Sequence, residues 1–361
     1  MAARFHPLSV TAVQRETPYA VVVTFDVPGE LAQAYRFTQG QFLTLRTEID
    51  GEEVRRSYSI CSGANEGTLQ VAVKRVDGGK FSNYANERLA PGGTLDVMTP
   101  DGRFFARLDP GHRKHYVAFA AGSGITPVLS LIKTTLDAEP GSRFTLVYGN
   151  RFVRSIMFCD ELEDLKDRYL GRFALHHVLS RDHQEVELFN GRIDEAKCAV
   201  LFDTLIPISG IDEAFVCGPA GMIDAVTAAL KRHGLPRARL HVERFASPSQ
   251  PAPAVSRVGA PVADAEGPAA SVTVIADGKT RHVRVAYEGE SILDMALHAG
   301  ADLPFACKAG VCCTCRARLL EGEVRMDKNF ALDDHELARG FVLSCQSHPT
   351  TDRVVLSYDE R

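Results

Sequence analysis

Short runs that alternate apolar and polar residues fill the first part of the chain: AVVVTFDV, QFLTLRT, TLQVAVKRV and TLDVMTP, separated by turns containing Gly and Pro. Alternation with period two turns one face of each strand toward a core and the other toward water, so the pattern predicts an antiparallel β-barrel over residues 1–110. Near Gly111 the pattern changes. Buried runs (HYVAFAAG, FTLVYGN, FALHHVLS, EAFVCG) now alternate with helical patterns such as ITPVLSLIKTTL and MIDAVTAALKRHG. That alternation predicts βα units on a parallel sheet, a nucleotide-type α/β domain over residues 111–245.

From Ala246 to Ser271 the chain is rich in Pro, Ala and Ser, with no aromatic residue and no periodic apolar pattern, and it reads as a flexible linker over 246–271. A third domain is expected over 272–361. Its start signals are a hairpin from SVTVIADGK and RHVRVAY, then a short helix in SILDMALHAG. There is no internal repeat.

Across the 361 residues, 45% are apolar and 24% charged, as in ordinary globular proteins, and the net charge of −5 gives no basic footprint for nucleic acid or an anionic membrane. The N-terminus lacks the apolar core of a signal peptide, and no run of ~18 apolar residues occurs, so a cytoplasmic protein is expected. Location changes the meaning of the nine cysteines, because structural disulfides are rare in a reducing compartment.

Four of them crowd into CKAGVCCTC, Cys307 to Cys315. Cys307, Cys312 and Cys315 have the C-x4-C-x2-C spacing, and Cys345 follows in VLSCQS, the plant-type pattern for a 2Fe–2S cluster. Three thiolates from one loop wrap the cluster and a distant fourth closes it. Gly310 lets the loop turn with its amides toward the sulfurs, and Cys313 is out of register and read as a non-ligand. Structural zinc is the alternative, although zinc sites usually draw their thiols as two short pairs. The segment resembles a plant-type ferredoxin, which implies an α+β, β-grasp domain that passes single electrons.

In the barrel, Arg56-Ser57-Tyr58-Ser59 and Gly79-Lys80-Phe81-Ser82 resemble the R-x-Y-S and G-x-x-S flavin motifs of the ferredoxin–NADP reductase family. The resemblance implies that Arg56 meets the flavin diphosphate, Tyr58 lines the isoalloxazine or ribityl chain, and Ser59 sits by flavin N5 as a catalytic group. Ser57, Val73, Lys74, Gly79, Lys80, Phe81 and Ser82 complete the implied set. FAD is favoured over FMN. The alternative is a plain barrel strand with Tyr58 and Ile60 facing the core.

AAGSGITPVLS places Gly122, Gly124, Thr126 and Pro127 after an expected strand and at a helix start, where amides and the helix dipole hold a pyrophosphate. YGNR (with Asn150 and Arg151), LSRD (with Ser180 and Arg181) and VCGPAGM (with Cys217, Gly218 and Pro219) each follow a strand. By the same resemblance, Ser180 and Arg181 contact the 2′-phosphate of NADPH. Cys217 would lie near the nicotinamide, Glu243 would poise the hydride site and Phe245 would cover the flavin face. The remaining histidines and cysteines, including His176, His177, Cys61, Cys159 and Cys198, read as structural, and DELEDLKDRY as a solvated helix face.

The stretches NYANERLAPGGTLDVMTPDGRF, YGNRFVRSIMF and VLSRDHQEVELFNGRID extend the likeness to reductase components of bacterial multicomponent oxygenases. This implies a route from NADPH through FAD to the 2Fe–2S cluster and out to a di-iron carboxylate oxygenase. A Rieske-type hydroxylase, such as one acting on ketosteroids, is the alternative acceptor. A redox sensor is the alternative class, which would normally add an output domain.

Overall fold

Two Asp-Gly pairs each turn a β-hairpin in this structure, a computed structural model that describes residues 4–245 and 268–360. Asp50 and Gly51 both have positive φ (54° and 78°), and so do Asp277 and Gly278 (49° and 70°). Two consecutive left-handed residues match the right-handed twist of the strands they join.

Residues Phe5–Phe245 form one compact unit, and residues 268–360 belong to another. The first unit opens with β1 (Phe5–Thr17), β2 (Ala20–Asp26), β3 (Phe42–Ile49), β4 (Glu52–Ser59), β5 (Leu69–Lys74), α1 (Lys80–Glu87) and β6 (Thr94–Met98). Its antiparallel sheet runs β4-β3-β6-β1-β2-β5, and a bridge between Ile60 and Val71 joins the two edges, curling the sheet into the expected barrel. Alternate residues such as Leu8, Val21, Leu43 and Val97 fill its core. Helix α1 was not anticipated by the sequence reading. It buries Phe81 and Ala85 against the barrel, and Asn86 fixes it by donating to the Val73 carbonyl.

The parallel sheet follows: β7 (His115–Ala121), α2 (Ile125–Ala138), β8 (Arg143–Asn150), α3 (Cys159–Arg168), β9 (Phe173–Leu179), α4 (Glu195–Thr204), β10 (Glu213–Cys217), α5 (Ala220–Arg232) and β11 (Leu240–Glu243). Strand order is β11-β10-β7-β8-β9, so the chain reverses direction across the sheet at β7. Open α/β sheets bind ligands in the crevice that such a reversal leaves beyond the strand carboxyl ends. One face packs on α4 and α5; the other packs on α2 and α3 together with barrel residues Ala20, Val22, Cys61 and Phe104. The expected solvated helix, α3, is amphipathic, with Leu162 and Leu165 in that core. His176 and His177 take opposite faces of β9, one stacked on Phe189 and the other beside Tyr148.

The second unit contains β12 (Ala269–Ala276), β13 (Lys279–Ala286), α6 (Ile292–His298), β14 (Arg316–Glu321), β15 (Val324–Met326), α7 (Asp334–Ala338), β16 (Phe341–Leu343), β17 (Ser347–Pro349) and β18 (Arg353–Ser357). Its main sheet runs β13-β12-β18-β14-β16, with β12 and β18 parallel and α6 packed against the sheet core. Strand β12 starts at Ala269, ahead of the linker end expected at Ser271; residues 246–267 of that linker lie outside the described residues.

Candidate functional site

The flavin motif occupies the end of β4 and the start of α1. Tyr58 lies 5.4 Å, ring centre to ring centre, from Phe81, which is fully buried and so supports Tyr58 from behind. Ser59 Oγ is buried and has no hydrogen-bond partner among the described residues. A buried hydroxyl without a partner costs roughly 1–3 kcal/mol, so an unpartnered one at this position fits a missing polar ligand atom. A Cβ on Gly79 would stand 2.5 Å from Ser82 Oγ, which explains the glycine. Ser82 Oγ accepts from Val76 N (3.1 Å) and pins that turn, while Gly79 offers no side-chain cap to α1. The first amides of α1 are therefore left to a phosphate. Arg56 is exposed and bonded to the Arg55 carbonyl at 2.7 Å, Lys80 pairs with Glu52, and Ser57 Oγ meets Thr44 Oγ1 at 3.1 Å. Val73 turns its side chain into the barrel core, leaving only its backbone for a ligand.

Beyond β7 and β10 two glycine turns interlock. Gly122 has φ +54°, and a Cβ there would lie 3.3 Å from Lys74 Nζ, which brings Lys74 of β5 to the dinucleotide turn. Burial and the Arg151 charge both depress the Lys74 ammonium. A Cβ on Gly124 would meet the Cys217 carbonyl oxygen at 2.1 Å, and one on Gly218 would meet Met222 Cε at 2.7 Å. Thr126 Oγ1 donates to the Ser123 carbonyl (3.0 Å), and Pro127 is accommodated in the first turn of α2. Pro219 precedes α5 as its N-cap and is exposed.

The loops after β8 and β9 are tied together, Ser180 N to the Asn150 carbonyl and Arg181 N to the Arg151 carbonyl, both at 2.9 Å. Asn150 Nδ2 is buried and unpartnered among the described residues, a second polar atom fit for a ligand. Arg154 and Arg181 flank the Phe152 ring at 5.2 and 5.8 Å. A cavity of about 550 Å3 is lined by Phe152, Val153, Arg154 and Asp182, whose carboxylate accepts from Val153 N at 2.8 Å. Sequence reading named Arg181 and missed Phe152 and Arg154, though Phe152 directly follows YGNR and Arg154 stands two residues beyond it.

Cys217 and Glu243 are register partners at the carboxyl ends of β10 and β11. Burial pushes the Glu243 carboxyl up to about 8; burial and that neighbouring carboxylate raise the Cys217 thiol. Phe245 follows β11 and is 37% exposed.

In the second unit the thiols gather as two pairs. Cys307 and Cys312 neighbour one another, as do Cys315 and Cys345. Two pairs suit two irons, each needing two protein thiolates. Among the described residues no three His, Cys, Asp or Glu side chains are placed to hold a single ion. The Cys312 thiol, helped by the amides of Ala309, Val311 and Cys312, draws the Cys307 thiol below its usual range. Gly310 (φ +73°) makes the turn, where a Cβ would approach the Lys328 carbonyl to 3.0 Å. Cys313 Sγ reaches the Ala331 carbonyl at 3.4 Å. The loop is stapled by Lys308, whose ammonium lies 2.5 Å from Asp294 of α6, and by Gln346 Nε2, which donates to the Lys308 carbonyl at 3.1 Å.

Comparison with known proteins agrees with each part. Residues 7–105 match the oxidoreductase FAD-binding domain, 119–228 the oxidoreductase NAD-binding domain and 274–350 the 2Fe–2S iron–sulfur cluster binding domain. The chain belongs to the family of oxygenase reductase components, NAD(P)H-dependent flavin iron–sulfur oxidoreductases with FAD and a 2Fe–2S cluster. Within that family it is 47% identical, over 99% of its length and 98% of the relative's, to one of the subunits that make up the 1,2-phenylacetyl-CoA epoxidase of Escherichia coli (strain K12). It is 35% identical, over 97% and 96%, to the ferredoxin reductase component of 3-ketosteroid-9-alpha-monooxygenase from Rhodococcus rhodochrous. Phthalate dioxygenase reductase shares the fold, with a TM-score of 0.58 at 24% identity over 98% of both chains. Among the described residues no helix is long and apolar enough to cross a membrane.

Proposed function

We propose that this chain takes electrons from NADPH and delivers them, one at a time, to the di-iron oxygenase of a phenylacetyl-CoA epoxidase in the cytoplasm. The observation that carries the reading is the 47% identity, end to end, with a component of such an epoxidase. We divide the chain accordingly: a flavin module over 1–110, a nucleotide module over 111–245, a connecting segment over 246–271 and an iron–sulfur module over 272–361.

When bound, the flavin converts a two-electron donor into single electrons and the cluster carries them outward. The residues do the rest. Arg56, Lys80 and the amides opening α1 hold the flavin phosphates, Tyr58 lines the ring system, and Ser59 offers its unpartnered hydroxyl at the reacting edge. Gly122, Gly124 and Gly218 bring backbone amides to the dinucleotide pyrophosphate. Arg154 and Arg181, on either side of Phe152, supply guanidinium charge for a 2′-phosphate, which favours NADPH over NADH. Cys217 and Glu243 line the nicotinamide, with Glu243 held protonated by burial below about pH 8. Phe245 covers the flavin face from its exposed position. Cys307 with Cys312, and Cys315 with Cys345, ligate the two irons.

Reconstitution tests the partner: the protein is mixed with a phenylacetyl-CoA oxygenase complex and NADPH, and oxygen uptake and the oxidised thioester are followed by mass spectrometry. Coupled, substrate-dependent turnover is expected. Reduction of flavin and cluster without product would move the acceptor to another hydroxylase, the reading favoured by the 35% identical ketosteroid monooxygenase component. Failure of the loaded protein to reduce cytochrome c with NADPH would point instead to a redox sensor.

A further inference from the structure

The parallel sheet carries a second cavity at the end opposite its nucleotide crevice. Nucleotides bind at strand carboxyl ends in open α/β sheets, yet here the segments leading into β7, β8, β9 and β10 border an open cavity of about 380 Å3. Arg113, Lys114, His115, Arg143, Arg172 and Asp212 line it. Four permanent cations and an imidazole thus face one carboxylate, in a chain whose net charge is −5.

Some of these groups have structural duties. Lys114 Nζ pairs with Glu213 at 2.9 Å. Arg172 donates to the carbonyls of Leu136, Glu139 and Ser142 at 2.8 to 3.1 Å, so its hydrogen bonds are satisfied while its charge faces no carboxylate. His115 is buried, with Nε2 at 2.8 Å from Thr145 Oγ1 and Nδ1 at 3.1 Å from the Gly210 carbonyl. A carbonyl only accepts, so Nδ1 carries the proton. The Arg143 guanidinium, 3.4 Å from that same nitrogen, therefore meets a donor with a donor. Its charge adds to burial in keeping the His115 ring neutral, against the opposing pull of the Gly210 carbonyl and Asp212. Neither Arg113 nor Arg143 has an ion-pair partner among the described residues.

Like charges held together around a cavity of small-molecule size, with two guanidinium forks unspent, are complementary to an oxyanion. We propose that this cavity is a binding site for a phosphate-bearing anion, held directly by Arg113 and Arg143 within the field of Lys114 and Arg172. It lies across the sheet from the dinucleotide turns and does not share residues with them.

Isothermal titration of the FAD- and cluster-loaded protein at low ionic strength tests the site, with the Arg181→Ala variant as the control for the dinucleotide crevice. Pyrophosphate and, separately, inorganic phosphate are the probes. Saturable binding of one anion per chain is expected, weakened ~tenfold or more in the Arg113→Ala/Arg143→Ala double variant and retained in Arg181→Ala. Both substituted arginines are solvent-facing, so the variant should fold, and unchanged flavin and cluster spectra check this. Much tighter pyrophosphate than phosphate would identify a diphosphate such as a nucleotide's; comparable affinities would identify a single phosphate group. No saturable binding, loss of binding in Arg181→Ala, or equal affinity in the double variant would overturn the proposal.

Discussion

Gly124 and Cys217 touch through their backbones so closely that a Cβ on the glycine would stand 2.1 Å from the cysteine carbonyl oxygen. The two loops that frame the crevice are thus packed on one another, and neither moves alone. Gly124→Ala should force them apart at a cost of ~1–3 kcal/mol. The KM for NADPH should rise about tenfold or more, with flavin and cluster spectra unchanged. An unaltered KM would place the nucleotide elsewhere.

Ser59 offers a trade between stability and rate. Its buried Oγ has no partner among the described residues, so Ser59→Ala should leave the FAD-free protein as stable or up to ~1 kcal/mol more stable. Hydride transfer from NADPH to the flavin should nevertheless slow by about 100-fold, read by stopped-flow bleaching of flavin absorbance. Loss of stability with full rate would assign the hydroxyl a structural task instead.

Glu243 sets a pH dependence of known sign. Burial raises its carboxyl from 4.5 to about 8, so the folded protein keeps a proton that the unfolded chain releases in that window. Its contribution to stability is fully present below 4.5 and lost as pH rises through about 8. Urea unfolding at both ends of the window should show this decline, and Glu243→Gln should flatten it. A decline of equal size in the variant would trace the dependence to other groups.

Cys345→Ser removes one partner of the Cys315 pair. The visible absorption of the cluster should be lost or strongly altered and cytochrome c reduction should stop, while NADPH still reduces the flavin. Loss of flavin reduction as well would mean that the two units depend on each other.

Arg181→Ala and Arg154→Ala should each raise the KM for NADPH by ~10- to 100-fold and leave that for NADH nearly unchanged, the loss of a charge-assisted contact being worth ~1.5–3 kcal/mol. Equal effects on the two donors would remove the phosphate role from both residues.

What the sequence disclosed followed the range of its signals. Cysteine spacing is written along one loop, so a set of four thiols, with Cys313 set aside, can be named from the sequence alone. Alternation exposed the barrel strands because one face of each is wet. Helix α1 escaped notice: its buried apolar positions Phe81 and Ala85 do stand at helical spacing, but Gly79 in front of it gives no side-chain cap to mark a start. Phe152 and Arg154 gain meaning only where the loops after β8 and β9 meet, and no local pattern records that meeting. The basic cavity is harder still, since its residues are scattered from Arg113 to Asp212 and only the sheet assembles them.

Strand β18, Arg353–Ser357, lies between β12 and β14 in the middle of its sheet although it follows both in the chain. During synthesis the chain through Phe245 can fold as soon as it emerges, because domains fold as units from the N-terminus. The second unit cannot assemble its sheet until β18 leaves the ribosome, and the fourth thiol, Cys345, stands only just ahead of that strand. Acquisition of iron and sulfide is thereby deferred until β18 has been made. A chain cut short before β18 would be a flavoprotein able to accept electrons with no ordered centre to hand them on.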